Sequence, residues 1–277
     1  MRLARIALVA VVSAVAVGLG IYAFFVEPDR LVVRRDRLAL LGWPAPLKIA
    51  VISDLHVGSP FIDVAKVERL VALSNAEAPD LVLLCGDYVA RGIVGGHRVP
   101  VAEFAPTLGG LRARYGVWAV LGNHDWWVDG PGTRSAFEAA GIHVLDDQIA
   151  RLVVEGHSIW LLGVADSWTR YPRPDLAIQR IPDHETILAF AHNPDVFAEN
   201  MPDRVILTFA GHTHGGQVNL PLIGRPIVPS AWGQRYAFGH VWENGHHLYV
   251  TSGVGTSNLP VRFRVPPEIA LVDVVPR

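Results

Sequence analysis

Five short apolar runs in this chain each stop at histidine, aspartate or asparagine. Asp54-Leu55-His56 follows Leu47–Ser53, Gly86-Asp87 follows Leu81–Cys85, and Gly122-Asn123-His124-Asp125 follows Gly116–Leu121. His192-Asn193 follows Thr186–Ala191, and Gly211-His212-Thr213-His214-Gly215 follows Val205–Ala210. Continuous apolar runs of this length read as strands buried on both faces. Neutral imidazole is the commonest transition-metal ligand, and carboxylates join it as harder partners. One fragment alone is weak, because an Asp after a strand more often makes a turn or a cap. The series constrains the fold: one site can use all five only if the strand ends meet at one edge. Sites in open α/β sheets gather outside the carboxyl ends of the strands.

The connecting segments fit that requirement. Val64–Asn75 carries Val64, Val67, Leu70, Val71 and Leu73 at helical spacing, and Val101–Arg114 and Ser135–Ala140 also read as helices. Gly141 stops the last of these. Ile142–Leu145, Ala150–Val154 and Ser158–Val164 read as strands in series, with Glu155-Gly156 as a turn. Pro194–Asn200 reads as a short helix, His247–Ser252 and Ile269–Val275 as further strands, and Leu31–Val33 with Leu38–Leu41 as a hairpin leading in. Helices alternating with strands, then strands in series, predict an α/β domain of two packed sheets with outer helices. If β alternation persists past Ser53, Asp54 and His56 point to the same face and reach one ion.

The 277 residues, 51% hydrophobic and 18% charged, fit one large domain or two small ones, with an ample core. After the basic start Met1-Arg2-Leu3-Ala4-Arg5, the stretch Ile6–Val26 carries no charge. About 20 apolar residues span a bilayer as a helix. A cleaved signal has a shorter apolar region and a small-residue cleavage site. The bulky Ile21-Tyr22-Ala23-Phe24-Phe25 suits an uncleaved anchor better. The division expected is residues 1–30 as a membrane anchor and 31–277 as the domain that carries the motif series, at the inner or plasma membrane. Arg2 and Arg5 precede the span and Arg30, Arg34, Arg35 and Arg37 follow it, so the positive-inside rule leaves the side of the domain open. The single cysteine, Cys85, does not identify a redox compartment. A net charge of −2 supplies no broad basic field, which argues against a nucleic-acid partner.

The order D-x-H, G-D, G-N-H-D, H, G-H-x-H-G-G resembles the motif series of the calcineurin-like metallophosphoesterase superfamily. The match runs from Ile49 to about Gly216. It extends through Ser252-Gly253-Val254-Gly255-Thr256-Ser257 and Pro260-Val261-Arg262-Phe263, which look like the bacterial membrane-associated branch. The resemblance implies a four-layer αββα sandwich: two packed mixed β-sheets flanked by helices, here preceded by one transmembrane helix. It implies two divalent ions (Mn, Fe or Zn). Asp54, His56 and His214 would serve the first, Asn123, His192 and His212 the second, and Asp87 would bridge them. His124 would face the scissile phosphate, with Asp125 orienting it. The activity implied is phosphohydrolysis, foremost of a phosphodiester, by in-line attack of a metal-bridging hydroxide. A lipid-linked pyrophosphate such as UDP-2,3-diacylglucosamine is the alternative substrate, and a non-catalytic metal-binding scaffold the alternative class. Tyr88-Val89-Ala90-Arg91 stands where many members carry a second acidic residue, which bears on substrate choice.

Other residues are weaker candidates. Trp126 and Trp127 could line an entrance or meet a membrane interface. Arg91, Arg262 and Arg264 could hold a second phosphate, against the blander reading of solvated loop arginines. Gly253 and Gly255 lack the P-loop Lys-Ser/Thr signature and read as a turn near the site.

Overall fold

The computed structural model describes residues 2–277. In chain order the strands are β1 (Val32–Leu40), β2 (Leu47–Ile52), β3 (Leu81–Cys85), β4 (Val117–Val120), β5 (His143–Val144), β6 (Gln148–Val154), β7 (His157–Gly163), β8 (Thr186–Phe190), β9 (Val205–Ala210), β10 (Gly239–Glu243), β11 (His246–Val250) and β12 (Glu268–Pro276). The α-helices are α1 (Arg2–Ile21), α2 (Val64–Ala76), α3 (Val101–Leu108), α4 (Asn123–Ala139), α5 (Pro174–Ala177) and α6 (Val196–Glu199). Two six-stranded sheets form, in the orders β1-β12-β2-β3-β4-β5 and β10-β11-β9-β8-β7-β6. Both are mixed. The centre of the first is the parallel run β2-β3-β4-β5, and that of the second is β7-β8-β9-β11.

The two-residue period of each strand decides which layer a side chain enters. On β2, Leu47, Ile49 and Val51 face the space between the sheets, while Ala50 and Ile52 face the helices. On β3, Leu81, Leu83 and Cys85 enter the inter-sheet core, and Val82 and Leu84 the helical side. The opposing sheet answers with Leu161, Leu188, Phe190, Leu207 and Phe209. All are fully buried. At about 1.5–3 kcal/mol for each such side chain, this inter-sheet layer is a main source of stability. Helices α2, α3 and α4 cover the first sheet's outer face. The second sheet's outer helical layer is thin, with the single-turn α5 and α6 beside it.

Most strand and helix ends fall within two residues of expectation, and four departures are larger. The expected hairpin before Gly42 is one nine-residue strand, β1, parallel to β12. Its charged residues are tolerated because it is an edge strand. Strand β10 escapes detection because Gly239-His240-Val241-Trp242-Glu243 is half polar; its antiparallel pairing with β11 makes it a strand. Helix α3 stops at Leu108, before Gly109-Gly110. Helix α4 starts at Asn123, well upstream of Ser135. The Asp129-Gly130-Pro131 interruption hides this first half, and Asp129 marks the kink there (φ −169°, ψ 81°).

Helix α1 buries no residue. The stretch Arg2–Asp29 contains a run long and apolar enough to cross a membrane. Its last turns are not free. The Ala23 carbonyl accepts from the Arg262 N–H (2.9 Å). The buried Glu27 carboxylate accepts from the N–H groups of Arg264 (2.8 Å) and Val265 (2.7 Å).

Candidate metal centre

The parallel strands of both sheets deliver their carboxyl ends to one edge, and the five motifs meet there. Asp54 and His56 do not continue the β2 pleat as expected. Asp54 (φ 55°), His56 (φ 46°), Asp87 (φ 56°), His212 (φ 67°) and His214 (φ 51°) all adopt left-handed backbone. Such conformations cost a non-glycine residue about 1–2 kcal/mol each, and in folded proteins they concentrate at functional sites. Here a mesh of main-chain bonds holds them. The N–H groups of Asp54, His56 and Val57 donate to the carbonyls of Gly86, Asp87 and Tyr88, and the Gly211 N–H donates to the His192 carbonyl. Gly122 is required because a Cβ there would collide with Asp87 Oδ1 and the Asp87 amide. Gly253 lies against the Asp54 side chain and Gly255 against the Leu55 carbonyl, so that stretch is a turn packed on the centre.

The side chains form two groups joined by one carboxylate. Donor atoms of Asp54, His56 and His214 lie within 4.8 Å of one another, as do those of Asp87, His192 and His212. Asp87 Oδ2 stands 3.2 Å from His192 Nε2 and 3.6 Å from His56 Nε2, so it faces both groups. Asn123 Oδ1 is 3.1 Å from His192 Nε2. His124 sits within the same reach of His56 and Asp87, half-buried, with its ring edge-on to His56 at 4.7 Å between centroids. Its backbone N–H donates to Asp87 Oδ1 (2.8 Å). The peptide N–H of His212 donates to the Asp54 carboxylate, tying the groups together.

This donor set fits cations. His192 Nδ1 lies 2.8 Å from the Cys85 carbonyl and His56 Nδ1 lies 3.3 Å from the Val89 carbonyl. In each neutral ring the proton then sits on Nδ1, and Nε2 presents a lone pair inward. Around His192 Nε2 converge Asn123 Oδ1, Asp87 Oδ2 and His212 Nδ1, with at most one proton among them. His56 Nε2 and His214 Nε2 point at each other across 3.2 Å. Burial pushes His56 and His212 down to about 3 and holds His214 well below its ordinary value, which keeps these rings as neutral ligands. Burial opposes charge on His192 too, but the facing Asp87, Asp54 and Asp166 carboxylates outweigh it and raise that ring to about 10. These facing carboxylates make this part of the site electronegative, as a cation-binding place requires.

Asp125 departs from expectation. Its buried carboxylate does not meet the His124 ring, whose Nδ1 has no partner. One oxygen accepts from the Asp87 (2.9 Å) and Gly122 (2.9 Å) amides, the other from the Tyr88 (2.8 Å) and Val89 (3.2 Å) amides. Asp125 is thus a positioning residue that clasps the two loops bearing Asp87 and Asn123. Arg262 also departs: it is fully buried and turned toward the main chain, away from any phosphate role. Its guanidinium donates to the carbonyls of Ser252, Gly253, Gly255 and Val265. Arg262→Leu leaves those buried carbonyl acceptors unpaired and is expected to lower unfolding free energy by about 3–5 kcal/mol in denaturant titrations, at ~1–3 kcal/mol for each acceptor that water cannot reach. Arg262→Lys should recover only part of it.

Above the centre lies a cleft of about 390 Å³. Trp127 and Trp168 stand on its polar side, their rings 6.3 Å apart, with Arg91 5.0 Å over Trp127. Trp126 is packed against the helical core instead. The far wall is apolar, built from Val218, Pro226, Ile227, Pro229, Leu259 and Val261. Trp168, which meets His212 edge-on at 4.4 Å, carries no sequence signal, because it lies on an irregular loop.

A family model described as calcineurin-like phosphoesterase matches residues 47–216. The chain is 33% identical over 272 residues to the phosphodiesterase YaeI of Escherichia coli (strain K12), covering 93% of each chain. It is 30% identical over 226 residues to the uncharacterized metallophosphoesterase YkuE of Bacillus subtilis (strain 168), covering 81% of this chain and 77% of that one. A transmembrane protein with metallophosphoesterase domain from Danio rerio is 27% identical over 238 residues, covering 80% of this chain and 52% of that one. Among solved structures, a 5'-nucleotidase precursor from Thermus thermophilus aligns with a TM-score of 0.47 and 16% identity, over 76% of this chain and 49% of that one. The chain thus spans about half of that structure.

Proposed function

Because this chain belongs to the calcineurin-like phosphoesterase family, we propose that it is a membrane-anchored phosphodiesterase working through two divalent ions. The observation that carries this is the single Asp87 carboxylate facing two clusters of inward-pointing imidazoles. Asp54, His56 and His214 would hold one ion, Asn123, His192 and His212 the other, and Asp87 both. The imidazole-rich set suits Mn, Fe or Zn better than Ca or Mg. When bound, such a pair supplies Lewis acidity toward the phosphoryl oxygens and an acidified water.

The protein's own groups do the rest. Neutral His56, His212 and His214 offer lone pairs without competing protons. Asp125 fixes the loops, so the ligand atoms are preorganised. His124 lines the cleft, with its Nδ1 buried and without a protein partner. A proton on that ring stabilises the departing alkoxide or aryloxide oxygen, a contribution of about 10²–10⁴ in rate. The indoles of Trp127 and Trp168 give the leaving group an aromatic surface. Residues 1–30 would anchor the catalytic domain, 31–277, to the membrane. Hydrolysis of an aryl phosphodiester should disappear on metal stripping and return with Mn, Zn or Fe. Retained turnover in protein shown to be metal-free would exclude this reading.

The apolar far wall of the cleft favours a second reading of the substrate, a lipid-linked phosphoester or pyrophosphate. Comparing a bilayer-embedded pyrophosphate with a soluble diester separates the two. A preference for the soluble compound removes the lipid reading.

His212 and His214 are assigned to different ions. His212→Ala and His214→Ala should each retain about one metal per chain by elemental analysis, with distinct affinities for the ion that remains. Loss of both ions from either variant would contradict the division.

A further inference from the structure

The cleft and the end of the apolar N-terminal segment share one structural seam. The ribbon made by Val218 and Phe263 is closed by Asn219 N–H to the Phe263 carbonyl and Phe263 N–H to the Gln217 carbonyl (2.9 Å each). Residues on either side of Phe263 bind the segment: Arg262 holds the Ala23 carbonyl, and Arg264 and Val265 hold Glu27. On the other strand of the ribbon, Leu220 and Gly224 exchange two backbone hydrogen bonds (2.7 and 2.9 Å) and close a tight hairpin. Its tip, Leu222 and Ile223, is 108% and 64% exposed, and Ile227 just beyond it is 77% exposed. Trp232 stands 40% exposed near the base, where Gln234 accepts from the Arg225 N–H. Val218, Ile227, Leu259 and Val261 carry the apolar surface from this hairpin into the cleft.

A large aliphatic tip fully open to water is costly, and contiguous exposed apolar surface marks an interaction site. The occupant is indicated by the neighbouring segment: a span leaving the domain a few residues away brings a bilayer to this face. The geometry points to the Leu220–Gly224 hairpin, with Ile227 and Trp232, inserting into the membrane interface, so that the cleft mouth opens onto the headgroup layer. The inference rests on the proposed anchor. Interfacial apolar groups sit about 5–10 Å into the headgroup and acyl boundary, and tryptophan favours that zone.

The test uses the full chain in phosphatidylethanolamine–phosphatidylglycerol vesicles, with an environment-sensitive dye on a single introduced cysteine. Native Cys85 is fully buried and should remain unlabelled. The sites are Leu222→Cys in the hairpin, Val9→Cys in α1, and Glu155→Cys in the β6–β7 turn, from which β7 runs toward the centre's edge. Lipids brominated high on the acyl chain should quench at least about half of the emission at 222, as expected for a ~5–10 Å depth, and leave 155 unchanged. Quenching at Val9 without quenching at 222 would overturn the hairpin's insertion while leaving the anchor intact. Quenching at neither would overturn the anchor and, with it, this inference.

Discussion

Asp87→Asn is expected to empty both halves of the centre and to slow phosphodiester hydrolysis by at least about a thousandfold, equivalent to ~4 kcal/mol of transition-state stabilisation. Asparagine keeps the shape of the side chain and can still accept the His124 N–H. What it removes is the one negative charge that faces His56 and His192 together. Elemental analysis of the purified variant should then fall well below two metals per chain, and adding excess metal should restore little activity. A variant that keeps two ions and its rate would show that Asp87 is not shared. The contrast with the single histidine variants is diagnostic, since each of those removes a ligand from one side only.

Asp125→Asn should have the second largest effect, and through a different route. The carboxylate receives four backbone N–H groups, two on each oxygen. An amide presents its NH₂ to two of those donors and leaves them unsatisfied in a buried place. The expected loss is about 2–6 kcal/mol of stability, at ~1–3 kcal/mol for each of the two buried unsatisfied groups. Metal affinity should fall by about 10–100-fold for both ions, as for other groups that support ligands from behind. Denaturant titration and calorimetric metal binding measure the two effects separately. If Asp125 served only to orient His124, turnover would fall while metal affinity stayed unchanged.

Much of this centre is legible in the chain because its ligands end apolar runs. The pattern Leu81-Val82-Leu83-Leu84-Cys85 followed by Gly86-Asp87 declares both a buried strand and a polar group at its exit. What periodicity cannot convey is the backbone of the exit itself. Asp54 and His56 reach the centre through left-handed residues locked by the β3 loop, not by strand alternation. The start of α4 at Asn123 is hidden by Asp129-Gly130-Pro131, since local helix signals cannot bridge a kink that tertiary packing tolerates. Arg262 reads as a surface cation because an arginine with only carbonyl partners leaves no acidic counterpart to notice in the sequence.

The sequence by itself determined the two-layer β core, through strand runs whose alternate residues are apolar on both faces, and the inventory of imidazoles and carboxylates at their ends. It also determined the long apolar N-terminal segment. Only the tertiary structure decided how these are joined: that Asp87 looks at two clusters, that Asp125 grips the loops and not His124, and that Glu27 ties the apolar segment's end to the loop beside the cleft. The physical reason is range. Strand period and apolar burial are set by neighbours in the chain. A shared carboxylate, a buried guanidinium and a docked segment depend on atoms tens or hundreds of residues apart, which meet only after the sheets have packed.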